Sequence, residues 1–305
     1  MTMSVVGLCS SMKLSALLVI VSLATQTPLD SFGIPPFTSA ALAREAAFSC
    51  TAIAAAAAVA PVAVTADWIA RQVDERDTGK DSRLAMAMKL VDRQGRGRER
   101  SLSVRALRRH GDVGDRVLVR FTYPADIAGT GFLVWERPNG EDDRFLYLPA
   151  LGRVRRISGA ERQESFVGSD FTYEDIGGRA IEDYAYALLE ENATWADAAG
   201  AKHPAWRLES KARDADAIYP RVVSTIRKDN FVVVAAEVYN RRGERAKAYT
   251  ASKLAQVQGI WTVMASSMAN EIERTRTELL VTEARYDTGL AEKDFSRREL
   301  ENGAR

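Results

Sequence analysis

Leu84–Ala106, LAMAMKLVDRQGRGRERSLSVRA, holds two runs in which residue character alternates, one on each side of a glycine-rich turn. In the first, Leu84, Met86, Met88 and Leu90 are interleaved with Ala85, Ala87 and Lys89; in the second, Leu102, Val104 and Ala106 are interleaved with Ser101, Ser103 and Arg105. Successive side chains of an extended strand point to opposite faces, so each run reads as a strand with one buried face, and Gly95-Arg96-Gly97 as the turn between them. Just beyond, Val117, Val119, Phe121 and Tyr123 give a third strand, opposed by Arg120 and Thr122. Three consecutive strands with short connections predict an antiparallel meander.

The pattern continues in both directions. Phe132–Trp135 and Phe145–Leu148 flank Pro138-Asn139-Gly140, whose Asn-Gly pair favours a tight hairpin. Further strands are predicted at Trp206–Lys211, Arg221–Arg227, Val232–Asn240, Ala246–Leu254, Gln258–Met264 and Thr275–Tyr286. Helical spacing appears at 67–74, where Trp68, Ile69 and Val73 share a face, and at Glu182–Glu191 through Tyr184, Leu188 and Leu189. A short closing helix is expected around Phe295 and Leu300, where Ser296 and Glu299 have capping-box spacing. Roughly ten to eleven strands with few helices predict a mainly β fold, one large antiparallel sheet that must curl or close to bury its apolar face. No crossover helices separate the strands, which excludes a parallel α/β fold.

With 46% hydrophobic and 27% charged residues among 305, the chain can bury a large core. A formal net charge of +1 gives no basic surplus of the kind that non-specific nucleic-acid binders carry. Two apolar stretches precede the strands: Leu14–Ala24 after Lys13, and the alanine-dominated 46–66 after Arg44, which ends in Val64-Thr65-Ala66. Each resembles an export signal with small residues at its end, so residues 1–66 are read as an export region, with translation starting near the second stretch, and 67–305 as the mature domain. The alternative is an alanine-rich membrane anchor, which Pro61 would interrupt. Both cysteines, Cys9 and Cys50, lie in this leader, so the expected mature domain has no disulfide and no thiolate metal site.

The segment Phe145–Ile176, FLYLPALGRVRRISGAERQESFVGSDFTYEDI, breaks the strand rhythm. Pro149 and Gly152 end a strand, Arg153, Arg155, Arg156 and Arg162 follow closely, and Phe166, Phe171 and Tyr173 are interleaved with Asp170, Glu174 and Asp175. Loops of this composition held by regular strands are where function concentrates. The phrases YLPALGRVRRIS and SFVGSDFTYEDI resemble the LolA-like family of periplasmic outer-membrane lipoprotein-sorting proteins, over about 66–305. The resemblance implies a half-open antiparallel barrel with short covering helices, an apolar cavity for the acyl chains of a lipid or lipoprotein, a non-enzymatic carrier role in the periplasm, and an inner-membrane transporter as partner. The arginine-rich insertion departs from lipoprotein carriers and leaves the cargo open between a lipoprotein and another lipid.

Phe121, Phe132, Phe145, Tyr147 and Trp206 sit on strands and are core residues by default; in a half-open barrel the same residues line the cavity. Asp170, Glu174 and Asp175 offer oxygen ligands, but their spacing fits no EF-hand, and pairing with Arg153, Arg155, Arg156 or Arg162 is the stronger reading. A third role is that these arginines meet an anionic head group or a partner. If Arg153–Arg156 is extended, Arg153 and Arg155 share one face and Arg156 takes the other. His110 and His203 stand beside Gly111 and Pro204 with no metal-ligand spacing, and no nucleophile elbow or phosphate-binding glycine pattern is present. No cofactor is expected. Two alternatives remain: an envelope scaffold with a filled barrel, and a hydrolase using Asp170 or Glu174.

Overall fold

The computed structural model describes the backbone at residues 13–14 and 21–23 and the chain over 64–108, 114–137 and 140–302. Most of the two leader stretches, Cys9, Cys50, His110 and Pro138-Asn139 lie outside the described residues. Contacts divide the chain into residues 1–24 with 65–305, and 25–64; the fold below is that of the first unit.

Two short strands, β1 (Lys13–Leu14) and β2 (Val21–Leu23), come first. Helix α1 (Ala66–Glu75) follows, starting where extended Thr65 accepts the Trp68 N–H on Oγ1 at 3.1 Å. The meander then runs through β3 (Asp81–Val91), β4 (Gly97–Leu107), β5 (Arg116–Tyr123), β6 (Gly131–Trp135), β7 (Asp143–Leu148) and β8 (Arg153–Ile157). A segment of 3-10 turns, α2 (Tyr173–Gly177) and β9 (Arg179–Ala180) leads to β10 (Tyr184–Ala196). The chain continues through β11 (Lys202–Ala212), β12 (Arg221–Arg227), β13 (Val233–Tyr239), β14 (Arg245–Val257), β15 (Ile260–Asn270) and β16 (Thr275–Tyr286), and ends on α3 (Arg297–Asn302).

Thirteen strands pair antiparallel in the order β10-β11-β12-β13-β14-β15-β16-β3-β4-β5-β6-β7-β8, and the end strands do not pair with each other; β2 pairs with β15 off this path, and β1 with β9. Within this path of thirteen, the two strands beyond the eleven expected are β8, a charge run without apolar alternation, and β10, where the sequence pointed to a helix at Glu182–Glu191. Pairing overrides the helical spacing there: Tyr184 stands opposite Ala212 and Leu188 opposite Leu208, while Leu189 is turned out and 48% exposed. Tyr184 and Arg144, on elements from opposite ends of the strand order, line one cavity with the β11–β12 loop, so the sheet curls round on itself without closing.

Register makes one face continuous. Opposed residues Leu208, Ser224, Ala236, Tyr249, Met268, Thr277 and Leu90 carry it from β11 to β3. Met86, Leu102, Phe121, Val119, Phe132 and Leu146 carry it on to β7. This inner face holds the main core. Over β11–β13 it is covered by α1, whose Ile69, Ala70 and Val73 pack on Trp206, Leu208, Ile226 and Val233, with Trp68 edge-on to Trp206 at 6.2 Å. The outer face has a smaller core, in which Leu118, Leu133 and Phe145 are covered by Leu290, Phe295 and Leu300 of the C-terminal segment. That segment is held by the Trp135 indole N–H on the Phe295 carbonyl at 2.7 Å, and α3 begins with the Glu299 N–H on Ser296 Oγ at 3.1 Å.

Candidate functional site

The segment between β8 and β10 lies on the inner face opposite the half covered by α1. Phe166, Phe171, Tyr173 and Ile176 are buried in the main core. The Phe166 ring stands 5.7 Å from Phe121 and 5.5 Å from Phe132, and Tyr173 is 5.1 Å from Phe132. The chain enters this position through a left-handed Val167 (φ 49°) followed by Gly168 (φ 73°), a costly conformation for a β-branched residue. The Arg100 guanidinium donates to the Val167 carbonyl and lies 5.7 Å over the Phe121 ring.

Carboxylates fix the segment. The Thr277 hydroxyl donates to Asp170 Oδ2 at 2.7 Å and accepts the Asp170 N–H at 2.9 Å, and the Thr275 hydroxyl donates to Oδ1. Asp175 closes the capping box of α2: its Oδ2 accepts the Thr172 N–H at 2.8 Å, and Thr172 Oγ1 accepts the Asp175 N–H at 3.2 Å. The same Oδ2 accepts the Tyr219 hydroxyl at 3.1 Å and lies 3.8 Å from Lys247 Nζ. Lys247 also donates to the Asp170 carbonyl at 2.6 Å, so β14 and β16 both grip this segment through polar contacts.

The expected pairing of Asp170, Glu174 and Asp175 with the arginine run is met only in part. Glu174 lies 3.7 Å from Arg162, but its nearer partner is Arg144 at 3.3 Å. Asp170 and Asp175 are occupied by Thr275, Thr277, Tyr219 and Lys247, which the sequence pattern did not single out. Arg155 pairs instead with Glu161 at 2.7 Å and Arg156 with Asp143 at 3.0 Å. The face division in β8 does hold: Arg155 stands opposite Leu146 of the inner face and Arg156 opposite Phe145 of the outer face. Arg153 is exposed, opposite Leu148.

The five aromatic candidates do not share a face. Phe121, Phe132 and Trp206 look inward, the last beneath α1. Phe145 and Tyr147 look outward under the C-terminal segment, because residues two apart in β7 share a face and Leu146 takes the other. Asp170 and Glu174 contact different partners and form no carboxylate pair. His203 is not isolated in a loop: it lies on β11 with Nε2 3.1 Å from Asp197 Oδ2, and that hydrogen bond holds the Asp197 carboxyl below its usual range. Among the described residues no three His, Cys, Asp or Glu side chains come together to hold a metal ion, and no helix is long and apolar enough to cross a membrane.

A family model described only as an uncharacterized protein matches residues 114–302. Among solved structures, a Vibrio parahaemolyticus domain provisionally named an outer membrane lipoprotein-sorting protein domain is 32% identical, with TM-score 0.71, covering 78% of this chain and 98% of that one. A DUF1329 family protein from Desulfovibrio piger is 31% identical, with TM-score 0.69 and coverage of 77% and 96%. A LolA superfamily protein from Nitrosomonas europaea shares the fold at 21% identity, with TM-score 0.59 and coverage of 77% and 98%. No curated protein matches the chain. The fold is thus shared along nearly the whole length of these relatives, and the chain belongs to the LolA-like family of outer-membrane lipoprotein-sorting proteins.

Proposed function

We propose that the protein is an exported, non-enzymatic carrier that holds the acyl chains of a lipid or lipoprotein against its inner face and takes them through the periplasm. The observation that carries this reading is the cover of that face. A largely apolar surface spanning β11 to β7, interrupted by Ser224 and Thr277, lies beneath only a ten-residue helix and the segment between β8 and β10. Each buried methylene contributes about 0.8 kcal/mol, so a sixteen-carbon chain gains on the order of 10 kcal/mol by leaving water for such a face.

In this state Phe166, Phe171 and Tyr173 occupy the half over β3–β7, so a chain enters by displacing them and breaking the contacts of Asp170 with Thr275 and Thr277. Phe121, Phe132 and Trp206 are then the acyl contacts, and Arg153, with Arg155 and Arg156 at the sheet edge, faces the head group or a docking partner. An inner-membrane transporter as donor follows from the family alone.

The test is a fluorescent fatty acid titrated into the 67–305 domain, with displacement by long-chain lipids. Phe132→Asp places a carboxylate on the inner face and should abolish binding while β-sheet circular dichroism is retained. A folded variant that binds normally removes the inner face from the site. The packing of Phe166 against Phe121, Phe132 and Tyr173 favours a second reading, a scaffold with a filled barrel. In that case the wild-type domain binds no fatty acid.

A further inference from the structure

A polar cavity of about 490 Å³ lies where the two ends of the unclosed sheet approach each other. One wall is Glu141, Asp142 and Arg144 around the start of β7 with Arg162 and Glu174, and the other is Asp183 and Tyr184 at the start of β10 with Ala212 at the end of β11 and Asp214, Asp216 and Ile218 of the loop after it. On the first wall, Arg144 is 2% exposed. Its Nη2 lies 3.1 Å from Asp142 and 3.3 Å from Glu174, yet Nε and Nη1 have no hydrogen-bond partner among the described residues, and neither has Glu174 Oε2. The guanidinium lies so close to Gly177 that a Cβ there would fall 2.6 Å from Nη2 and 2.7 Å from Nε, so any side chain at that position would push the guanidinium aside. Buried guanidinium N–H groups without acceptors are costly, and a planar fork suits the oxygens of a phosphate or carboxylate.

A simple anion is nonetheless a poor fit. Among the described side chains lining the cavity, Arg144 and Arg162 face Glu141, Asp142, Glu174, Asp183, Asp214 and Asp216. Arg144 and Arg162 are engaged by Asp142, Glu174 and Glu141, and Asp216 lies 3.5 Å from Arg241. Asp183 and Asp214 are exposed and pair with no cation among the described residues. A ligand that brings its own positive charge together with its oxyanion matches this lining. We infer that this cavity binds a phosphoethanolamine-type zwitterion, with its phosphate on Arg144 and Arg162 and its primary ammonium on Asp183 and Asp214. The source is either a lipid head group or the free compound. The inference stands on the cavity and not on the acyl-chain reading, so loss of fatty-acid binding leaves it intact.

The test uses the full chain and two soluble probes, glycerophosphoethanolamine and glycerol 3-phosphate, titrated by amide NMR shifts. A preference of at least about tenfold for the zwitterion is expected, with shifts at Gly177, Glu174 and Asp183. Asp183→Asn with Asp214→Asn, both on exposed positions, should erase the preference without lowering the melting temperature. Arg162→Ala should weaken both probes alike, which keeps the test available if Arg144→Met fails to fold. Vesicles with and without phosphatidylethanolamine separate the sources: ethanolamine-dependent binding assigns a lipid head group, and a response to the soluble probe alone assigns the free compound. Equal or tighter binding of glycerol 3-phosphate, or no shift at the cavity with either probe, overturns the inference.

Discussion

Replacing Phe166 by alanine probes the packing on which the inner face depends. The ring is 1% exposed and contacts Phe121, Phe132 and Tyr173, with no polar atom to compensate its loss. Removing a buried phenylalanine costs about 3–5 kcal/mol, the upper end applying where the site cannot collapse. Collapse is restricted here because Asp170, Thr172 and Asp175 pin the chain that follows through hydrogen bonds to Thr275, Thr277 and Tyr219. For a domain of this size each kcal/mol lowers the melting temperature by about 2–4 °C, so a fall of about 6–20 °C is expected by circular dichroism, with a matching loss in urea unfolding. The carrier reading adds a second expectation: the variant should bind fatty acid more tightly than wild type, because less of the segment has to be displaced. Ligand at a hundred times its dissociation constant should return about 2.7 kcal/mol of stability. A loss under about 1 kcal/mol would refute the packing, and the expected loss without tighter fatty-acid binding would refute the displacement.

Asp74 is 4% exposed at the end of α1, and burial pushes its carboxyl up from 3.8 to about 6, against the pull of Arg108 and with Asp115, Glu182 and Glu75 adding to the rise. Because the folded value is the higher one, its contribution is full below about pH 4 and lost as pH rises through 6; the gap corresponds to about 3 kcal/mol, so Asp74→Asn should raise the melting temperature at pH 7.5 and leave it unchanged at pH 4. Arg155→Ala and Arg156→Ala each remove a half-exposed ion pair and should each cost no more than about 1 kcal/mol in urea unfolding. Asp170→Ala leaves the Thr277 hydroxyl buried without its acceptor and should cost about 2–4 kcal/mol in the same assay, with faster hydrogen exchange confined to 164–177. Cleavage after Ala66 would remove the Thr65 cap; Thr65→Ala in a longer chain should therefore cost about 1 kcal/mol, and intact mass of the envelope form shows whether the cap is kept.

Most of the sheet was legible because its strands obey one rule. Arg221–Arg227 and Thr275–Tyr286 were read with their observed limits, and the Leu84 to Tyr123 meander in its observed pairing, since each strand buries one face. β10 was misread because an edge strand with two register shifts and an exposed Leu189 loses the period of two; only its pairing with β11 restores it. The central segment was legible as unusual but not in its bonding. Thr275, Thr277, Tyr219 and Lys247 lie far along the chain from Asp170 and Asp175, and no local spacing announces them. Phe145 and Tyr147 were placed with Phe121 by residue type, although the strict alternation around Leu146 already puts them on the other face. Arg144 was passed over because one arginine in an apolar strand looks like an outward charge; its position opposite Ile157, on the inner row with Leu146, is what buries it.

The most direct test of the carrier account is covalent mapping of a bound acyl chain. The domain is loaded with a photoactivatable long-chain fatty acid, irradiated and digested, and the labelled peptides are identified by mass spectrometry. The account predicts label on inner-face residues of β5, β6 and β11, at or beside Phe121, Phe132 and Trp206, suppressed by excess unlabelled lipid. Label confined to the outer face around Phe145, Leu290 and Phe295, or no label that lipid suppresses, would contradict it.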